Sequence, residues 1–203
     1  MTIWAIVPVK PLRHGKSRLA GVLTEDQRTR LNRRLLEHTL TELSEIPEIS
    51  STLVISRDPA ALSVARNLGA RTLLEDHAPQ LNTALNRAMA VAGAHAAHAI
   101  LILPADLPLV ESKDIRILIN LGKNPPVVVI APDRKKDGTN GLFISPVGLL
   151  DFSFGPGSFN RHCERARLAG ATLKIANSPG LELDLDLPED LEKLGGLDEL
   201  KLP

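Results

Sequence analysis

Apolar residues along this chain fall into short unbroken runs, separated by longer segments in which they recur at helical spacing. The first run, Ile3–Val7, is closed by Pro8 and Pro11 and predicts a buried strand. A basic loop follows, from Lys10 to Arg18. Thr24 then opens a long helix: Thr24 and Gln27 have capping-box spacing, and Leu31, Leu35, Leu40 and Leu43 form an apolar stripe. The alternation continues with a strand at Thr52–Ile55, a helix from Pro59 capped by Asp58 and stopped by Gly69, and a short strand at Arg71–Leu74. Further on come an alanine-rich helix over 81–96, a strand at Ile100–Leu103, a helix over 112–121 and strands at Val127–Ala131 and Leu142–Ile144. A helix over Ser158–Ala169, a strand over 172–176, a Leu–Asp alternation from Leu183 to Leu187 and a helix opening with Pro188 complete the pattern. The Leu–Asp alternation is expected to be the last strand, which would put Asp184 and Asp186 on one face.

Unbroken apolar strands alternating with helices predict an α/β fold: a three-layer α/β/α sandwich around a mostly parallel sheet. At 203 residues a single domain over 1–203 is expected, without internal repeats or a long linker. The polar stretch from Pro132 to Asn140 is the best candidate for a mobile or substrate-covering loop.

Composition narrows the function. A hydrophobic fraction of 43% is ordinary for a folded chain, and equal numbers of basic and acidic groups exclude binding by bulk positive charge, so no nucleic-acid partner is expected. Trp4, four Phe and no Tyr leave little material for a base-stacking surface. No apolar run approaches the roughly 20 residues of a membrane span. With a lone cysteine, Cys163, expected as a passive helical residue, the chain reads as cytoplasmic. The charge is nevertheless polarised: residues 1–40 carry eight Lys/Arg against three Asp/Glu, and residues 181–203 carry eight Asp/Glu against two Lys. The two stretches could attract each other, or form two halves of a site for a polyanion and its metal ions.

In an open parallel sheet, ligands gather beyond the C-terminal strand ends. There the pattern puts Lys10, Arg13, Lys16 and Arg18 after the first strand, Asp106 after the 100–103 strand, and Asp184 with Asp186. Lys10, Lys16 and Arg18 suit one polyphosphate, although a solvated loop would look the same. Asp106, at a buried strand's end, needs a metal, a cation or backbone N–H partners, unless it merely forms a turn. Two aspartates on one strand face repel unless a cation lies between them, and Mg2+ favours such oxygen ligands, although a solvent-exposed edge strand would show the same alternation of Leu and Asp. Turns at Asp137–Gly141 and Phe154–Ser158 offer backbone N–H groups and the Thr139 and Ser158 hydroxyls to an anion, with Ser158 as a plain N-cap the alternative. Asn82, at the start of the alanine-rich helix, is either a nucleobase contact or a cap. His95 and His98 lack the further ligands of a transition-metal site, and no nucleophile-elbow pentapeptide is present.

Taken together, Val7-Pro8-Val9-Lys10, Lys16-Ser17-Arg18-Leu19, Pro104-Ala105-Asp106-Leu107-Pro108, Asp137-Gly138-Thr139-Asn140, Phe154-Gly155-Pro156-Gly157-Ser158 with His162, and Leu183-Asp184-Leu185-Asp186 with Pro188-Glu189-Asp190 resemble the guanylyltransferases of coenzyme F-420 biosynthesis. The resemblance implies a nucleotide-diphospho-sugar transferase-like fold and transfer of GMP from GTP to a small phosphorylated carboxylic acid, with release of pyrophosphate. It leaves the acceptor open among phosphoenolpyruvate, 2-phospho-L-lactate and 3-phosphoglycerate; the segment from Trp4 to Ala20 leans toward phosphoenolpyruvate. By similarity Asp106, Asp184 and Asp186 would hold one or two Mg2+ ions. The Thr139 backbone, Gly155 and Ser158 would hold the acceptor, and Lys10, Lys16 and Arg18 would face the GTP phosphates. The product would pass to the enzyme that joins it to the deazaflavin precursor. A homo-oligomer is neither implied nor excluded.

Two departures from the family pattern stand out. Gly141 replaces a frequent alanine, which bears on the acceptor pocket's shape, and His14-Gly15 replace small residues, with Gly15 expected to loosen the loop. Three other readings remain, the plainest being a soluble α/β scaffold protein whose basic loop is solvated, which would make the shared placement of the basic loop, Asp106 and the Asp pair a coincidence. A molybdopterin or sugar-phosphate nucleotidyltransferase shares the metal logic but usually carries a Leu-Ala-Gly-Gly-type first loop, and a non-catalytic nucleotide-binding module would not need all three aspartates.

Overall fold

The computed structural model describes residues 2–75 and 80–196. Its elements run β1 (Ile3–Pro8), α1 (Glu25–Ser44), β2 (Ile49–Ser56), α2 (Pro59–Asn67), β3 (Arg71–Leu74), α3 (Leu81–Ala94), β4 (Ala99–Ile102), α4 (Ser112–Leu121), β5 (Val127–Pro132), β6 (Thr139–Ser145), α5 (Ser158–Leu168), β7 (Thr172–Ile175), α6 (Pro179–Glu182) and α7 (Pro188–Lys193). The seven strands form one sheet in the order β3-β2-β1-β4-β6-β5-β7. Only β6 runs antiparallel to its neighbours β4 and β5; the other pairs are parallel.

Strand alternation divides the core. Ile3, Ala5, Val7, Leu101, Val127 and Val129 pack on one side with α1, α2 and α4. Trp4, Ile6, Ile100, Ile102, Val128 and Ile130 pack on the other with α3 and α5. Helices therefore cover both faces, as continuous apolar strands require. Among the described residues no helix is long and apolar enough to cross a membrane.

The helix starts follow their caps. Thr24 Oγ1 accepts from the Gln27 N–H at 3.2 Å while Gln27 Oε1 accepts from the Thr24 N–H at 2.8 Å. Asp58 Oδ1 accepts from the Ala60 N–H at 2.9 Å. Cys163 is buried in α5, and His95 stacks on Trp4 with ring centroids 5.3 Å apart.

Two expectations change, and a third takes a definite form. Leu183–Leu187 is not a strand: it is an extended segment attached to the β4 loop by one backbone bond, from Leu185 N–H to Asp106 C=O at 3.0 Å. A periodicity of two marks extended backbone but does not supply a pairing partner. Ser158 is the first helical residue of α5 and Gly157, in the left-handed region at φ 71°, is the cap. The polar 132–140 stretch is a hairpin whose second strand already contains Thr139 and Asn140. Asp133 closes its turn, donating its N–H to Gly138 C=O at 3.1 Å and accepting the Asp137 N–H on Oδ1 at 2.8 Å.

Candidate active site

The strand order reverses between β1 and β4, and a crevice opens beyond their C-terminal ends. It is a cleft of about 600 Å³, lined by the loops after β1 and β4, the β5–β6 hairpin, the turn before α5 and the Asp184–Asp186 segment. A small leucine cluster sets its geometry. Leu19 from the basic loop, Leu31 and Leu35 from α1, and Leu185 and Leu191 from the C-terminal segment are buried against one another. Leu185 points into this cluster, so the aspartates on either side of it are turned to the cleft, which both line.

At one end the charges hold each other. Lys16 adopts φ 56°, ψ 37°, a left-handed conformation, and its side chain is 6% exposed. Its Nζ lies 3.0 Å from Asp186 Oδ1 and 3.4 Å from Asp106 Oδ2. Burial alone would push the ammonium pKa down; the Asp106 and Asp186 carboxylates outweigh it and hold Lys16 above its ordinary value. Burial would likewise raise Asp186, but Lys16, Lys10 and Arg18 bring it below the usual carboxylate range. Asp184 has no such cation and is pushed up by burial and by the neighbouring Asp106 and Asp186 charges. The three acids therefore face a common space.

The loop that delivers Lys16 is strapped down. Leu12 N–H donates to Asp58 Oδ2 at 2.8 Å, and Asn32 Nδ2 donates to Leu12 C=O at 2.7 Å. Gly15 does not loosen this loop. It is buried, donates its N–H to Pro11 C=O at 2.8 Å, and a Cβ there would fall 2.6 Å from Asn32 Nδ2. Its function is close approach.

The other end is built from hydroxyls, an imidazole and a clamped turn. Thr139 and Ser158, both buried, line the cleft. Arg161 holds the turn before α5: its Nε donates to Ser153 Oγ at 2.8 Å and its terminal nitrogens donate to the carbonyls of Ser153, Gly155 and Pro156. Gly155 adopts φ 117°, which a side chain rarely tolerates.

Of the sequence-derived candidates, Lys10, Lys16, Arg18, Asp106, Thr139, Gly155, Ser158, Asp184 and Asp186 all line the cleft. Asn82 does not, and it is neither a free base contact nor a cap: Oδ1 accepts the Phe154 N–H at 2.7 Å and Nδ2 donates to Phe154 C=O at 3.2 Å, so it fixes the turn before α5. Arg13 turns away to pair with Glu25 at 3.2 Å on the surface. The α5 turn offers less to an anion than expected, because the Gly157, Ser158 and Phe159 N–H groups bond Asp137 Oδ2, Gly155 C=O and Asp137 C=O. Asn32, Arg161 and Asp133 have no place in the sequence reading, and Asp137 enters it only as the first residue of its turn. Their signal is three-dimensional, apart from the i, i+4 spacing of Asp133 and Asp137 across a polar turn.

Among the described residues no three acidic, imidazole or thiol groups enclose a metal by themselves. The donor set still suits a hard divalent cation. All three facing acids are carboxylates, a cationic group already lies between two of them, and Mg2+ typically takes one or two carboxylates and completes its shell with substrate phosphates and water.

The family model described as "Guanylyl transferase CofC like" matches residues 3–196. The chain belongs to this family. This guanylyltransferase is 42% identical over 194 residues to the phosphoenolpyruvate guanylyltransferase of Rubrobacter xylanophilus, covering 96% of this chain and 94% of that one. It is 33% identical over 189 residues to the 2-phospho-L-lactate guanylyltransferase of Methanocaldococcus infernus, covering 93% and 82%. A putative nucleotide-diphospho-sugar transferase from Desulfovibrio desulfuricans G20 superimposes with a TM-score of 0.76 at 16% identity, covering 96% of this chain and 87% of that one. The guanylyltransferase is thus a nucleotidyltransferase with the sugar-nucleotide transferase fold, and the molybdopterin and non-catalytic readings fall away.

Proposed function

We propose that the protein transfers GMP from GTP to phosphoenolpyruvate, releasing pyrophosphate, as a step of coenzyme F-420 biosynthesis whose product goes to the enzyme that joins it to the deazaflavin precursor. The observation that carries this reading is one cleft with a cation–carboxylate end and a hydroxyl end, in a chain 42% identical to a phosphoenolpyruvate guanylyltransferase.

In the reaction an oxygen of the acceptor phosphate attacks the α-phosphorus of GTP. The new P–O–P bond forms as the bond from the α-phosphorus to the bridging oxygen breaks, and that electron pair leaves on pyrophosphate. A phosphate monoester has a second pKa near 6, so at pH 7 it is mostly dianionic and no side chain has to remove a proton. The problem is bringing two anions together. Lys10 and Arg18, exposed at the mouth, attract the triphosphate, while Lys16, its side chain buried, brings a positive charge into the cleft beside Asp106 and Asp186. Thr139, Ser158 and Gly155 hold the acceptor at the opposite end. Asp106, Asp184 and Asp186 would hold Mg2+, which when bound supplies charge neutralisation between the reacting phosphates.

A pyrophosphate-release assay with GTP and Mg2+ tests the proposal, with phosphoenolpyruvate, 2-phospho-L-lactate and 3-phosphoglycerate as acceptors and ATP and CTP as controls. Release is expected with GTP and phosphoenolpyruvate. Release only with another acceptor overturns the acceptor assignment, and release with ATP or CTP but not GTP overturns the donor.

A further inference from the structure

His162, Thr139 and Ser158 form a hydrogen-bonded chain whose direction follows atom by atom. The Ser153 backbone N–H lies 3.1 Å from His162 Nε2. A backbone N–H can only donate, so Nε2 carries no proton. The ring is fully buried, and burial, followed by the Arg165 and Arg161 charges, lowers its pKa to about 4, so it is neutral near pH 7. Its one N–H is therefore on Nδ1, which lies 3.0 Å from Thr139 Oγ1 and donates to it. Ser158 Oγ lies 3.3 Å from the same oxygen. The hydroxyl pair has two protons, and one is used in the bond between the two oxygens, whichever donates. Among the described residues no further acceptor engages either hydroxyl, which leaves the other proton available to the cleft that both residues line.

The opposite tautomer would reverse everything. Nε2–H would confront the Ser153 N–H, Nδ1 would accept the Thr139 proton, Thr139 Oγ1 would accept the Ser158 proton, and no hydroxyl proton would face the cleft.

We propose that His162 is a positioning residue for the acceptor: held as the Nδ1–H tautomer by the Ser153 N–H, it makes the Thr139–Ser158 pair present an O–H donor to an anionic group of the bound phosphorylated acid. This rests on the reading of the hydroxyl end as the acceptor end. It also explains a buried histidine that phosphoryl-group chemistry does not use as a base, placed one helical turn after Ser158 so that both reach the same side of α5.

The first test is long-range 15N NMR of the full chain at pH 7, with the His162 ring assigned by its disappearance in His162→Gln. A single Nδ1–H tautomer is expected; the Nε2–H form, a mixture or a protonated ring overturns the inference and leaves the acceptor-end reading standing. The second test is kinetic. Asparagine puts an amide near the Nδ1 position, whereas glutamine, though closer in size to histidine, puts its amide near Nε2. His162→Gln and Thr139→Val are each expected to raise the KM for phosphoenolpyruvate about 10-fold, the scale of one hydrogen bond to a charged group, with the KM for GTP unchanged. His162→Asn should recover most of the loss, and the Gln/Val double variant should be no worse than the poorer single one. Multiplicative effects in the double variant, equal rises in both KM values, or no rescue by asparagine assign His162 a merely structural part. An unchanged phosphoenolpyruvate KM in Thr139→Val overturns the acceptor-end reading itself.

Discussion

Thr139, Ser158 and His162 meet through neutral hydrogen bonds that a ligand can join without displacing any of them, whereas Lys16, Asp106 and Asp186 meet through charges that a bound nucleotide would have to share. The hydroxyl end is pre-organised: Arg161 and Asn82 tie its turn down with six hydrogen bonds, and its donor direction exists before any ligand arrives. The ionic end is self-compensated. Its lysine offsets two carboxylates in the free protein, and on the proposed reading the triphosphate would draw on the same lysine. On the proposed reading, one cleft thus contains a rigid half that discriminates the small acid and a half whose partners exchange on binding.

The sharpest way to break this comparison is to neutralise the ionic end. Asp106→Asn and Asp184→Asn should each leave a folded protein, checked by thermal melting, with turnover reduced about 10³-fold or more in pyrophosphate release, the scale of losing a preorganised electrostatic group. Unchanged turnover in Asp106→Asn would remove it from the cation site. Next in size, Lys16→Ala leaves two facing carboxylates without their cation. Removing one partner of a fully buried pair costs about 3–5 kcal/mol, and with the carboxylates 29% and 31% exposed the expected loss is about 1–2 kcal/mol. Added Mg2+ should recover more stability in Lys16→Ala than in the unaltered protein when both are melted with and without chelator. An equal Mg2+ response in the two proteins would contradict partner exchange.

The hydroxyl end predicts a pH effect instead. The His162 pKa falls from 6.5 in the unfolded chain to about 4 in the fold, so the unfolded state binds more protons between those values. Stability from the neutral ring is complete above pH 6.5 and is lost as the pH falls toward 4. Denaturant titrations across that range should show a slope that is reduced in His162→Asn. The smallest effect is expected at Gly141. It faces α4 rather than the cleft, and a Cβ there would lie 3.0 Å from Leu118 Cδ1 and 3.2 Å from Ala131 Cβ. Gly141→Ala should therefore change stability by less than about 1 kcal/mol, through a small shift of Leu118, and leave the KM for either substrate unaltered.

This last position also shows how far the sequence could be read. Apolar runs and caps determined every strand of the sheet and its main helices, because those signals are local: the Thr24–Gln27 box and the Asp58 cap appear in the fold as they do in the chain. Strand ends then located Asp106 and the basic loop on one cleft, which Asp184 and Asp186 reach from an extended segment outside the sheet. What stayed hidden depends on contacts between distant segments. Asn82 looked equally like a cap or a base contact because its partner, Phe154, stands 72 residues away. Gly141 looked like a pocket residue until the face of β6 was known, and Leu183–Leu187 had the alternation of a strand but no neighbour to pair with.

The salt bridge between Lys16 and Asp186 spans 170 residues of chain. On a ribosome adding about 5–20 residues each second, Lys16 emerges roughly 10–30 s before Asp186, one of the two acids that balance it. Leu185, which joins the cluster around Leu19, arrives with that aspartate. A nascent polypeptide therefore carries the basic loop with neither acid until Asp106 is made and with Asp106 alone until the C-terminal segment follows, and a product that stops before Leu183 lacks both the anchor and the acid pair. The ionic end of the cleft is in this way complete only in molecules whose synthesis has passed Asp186.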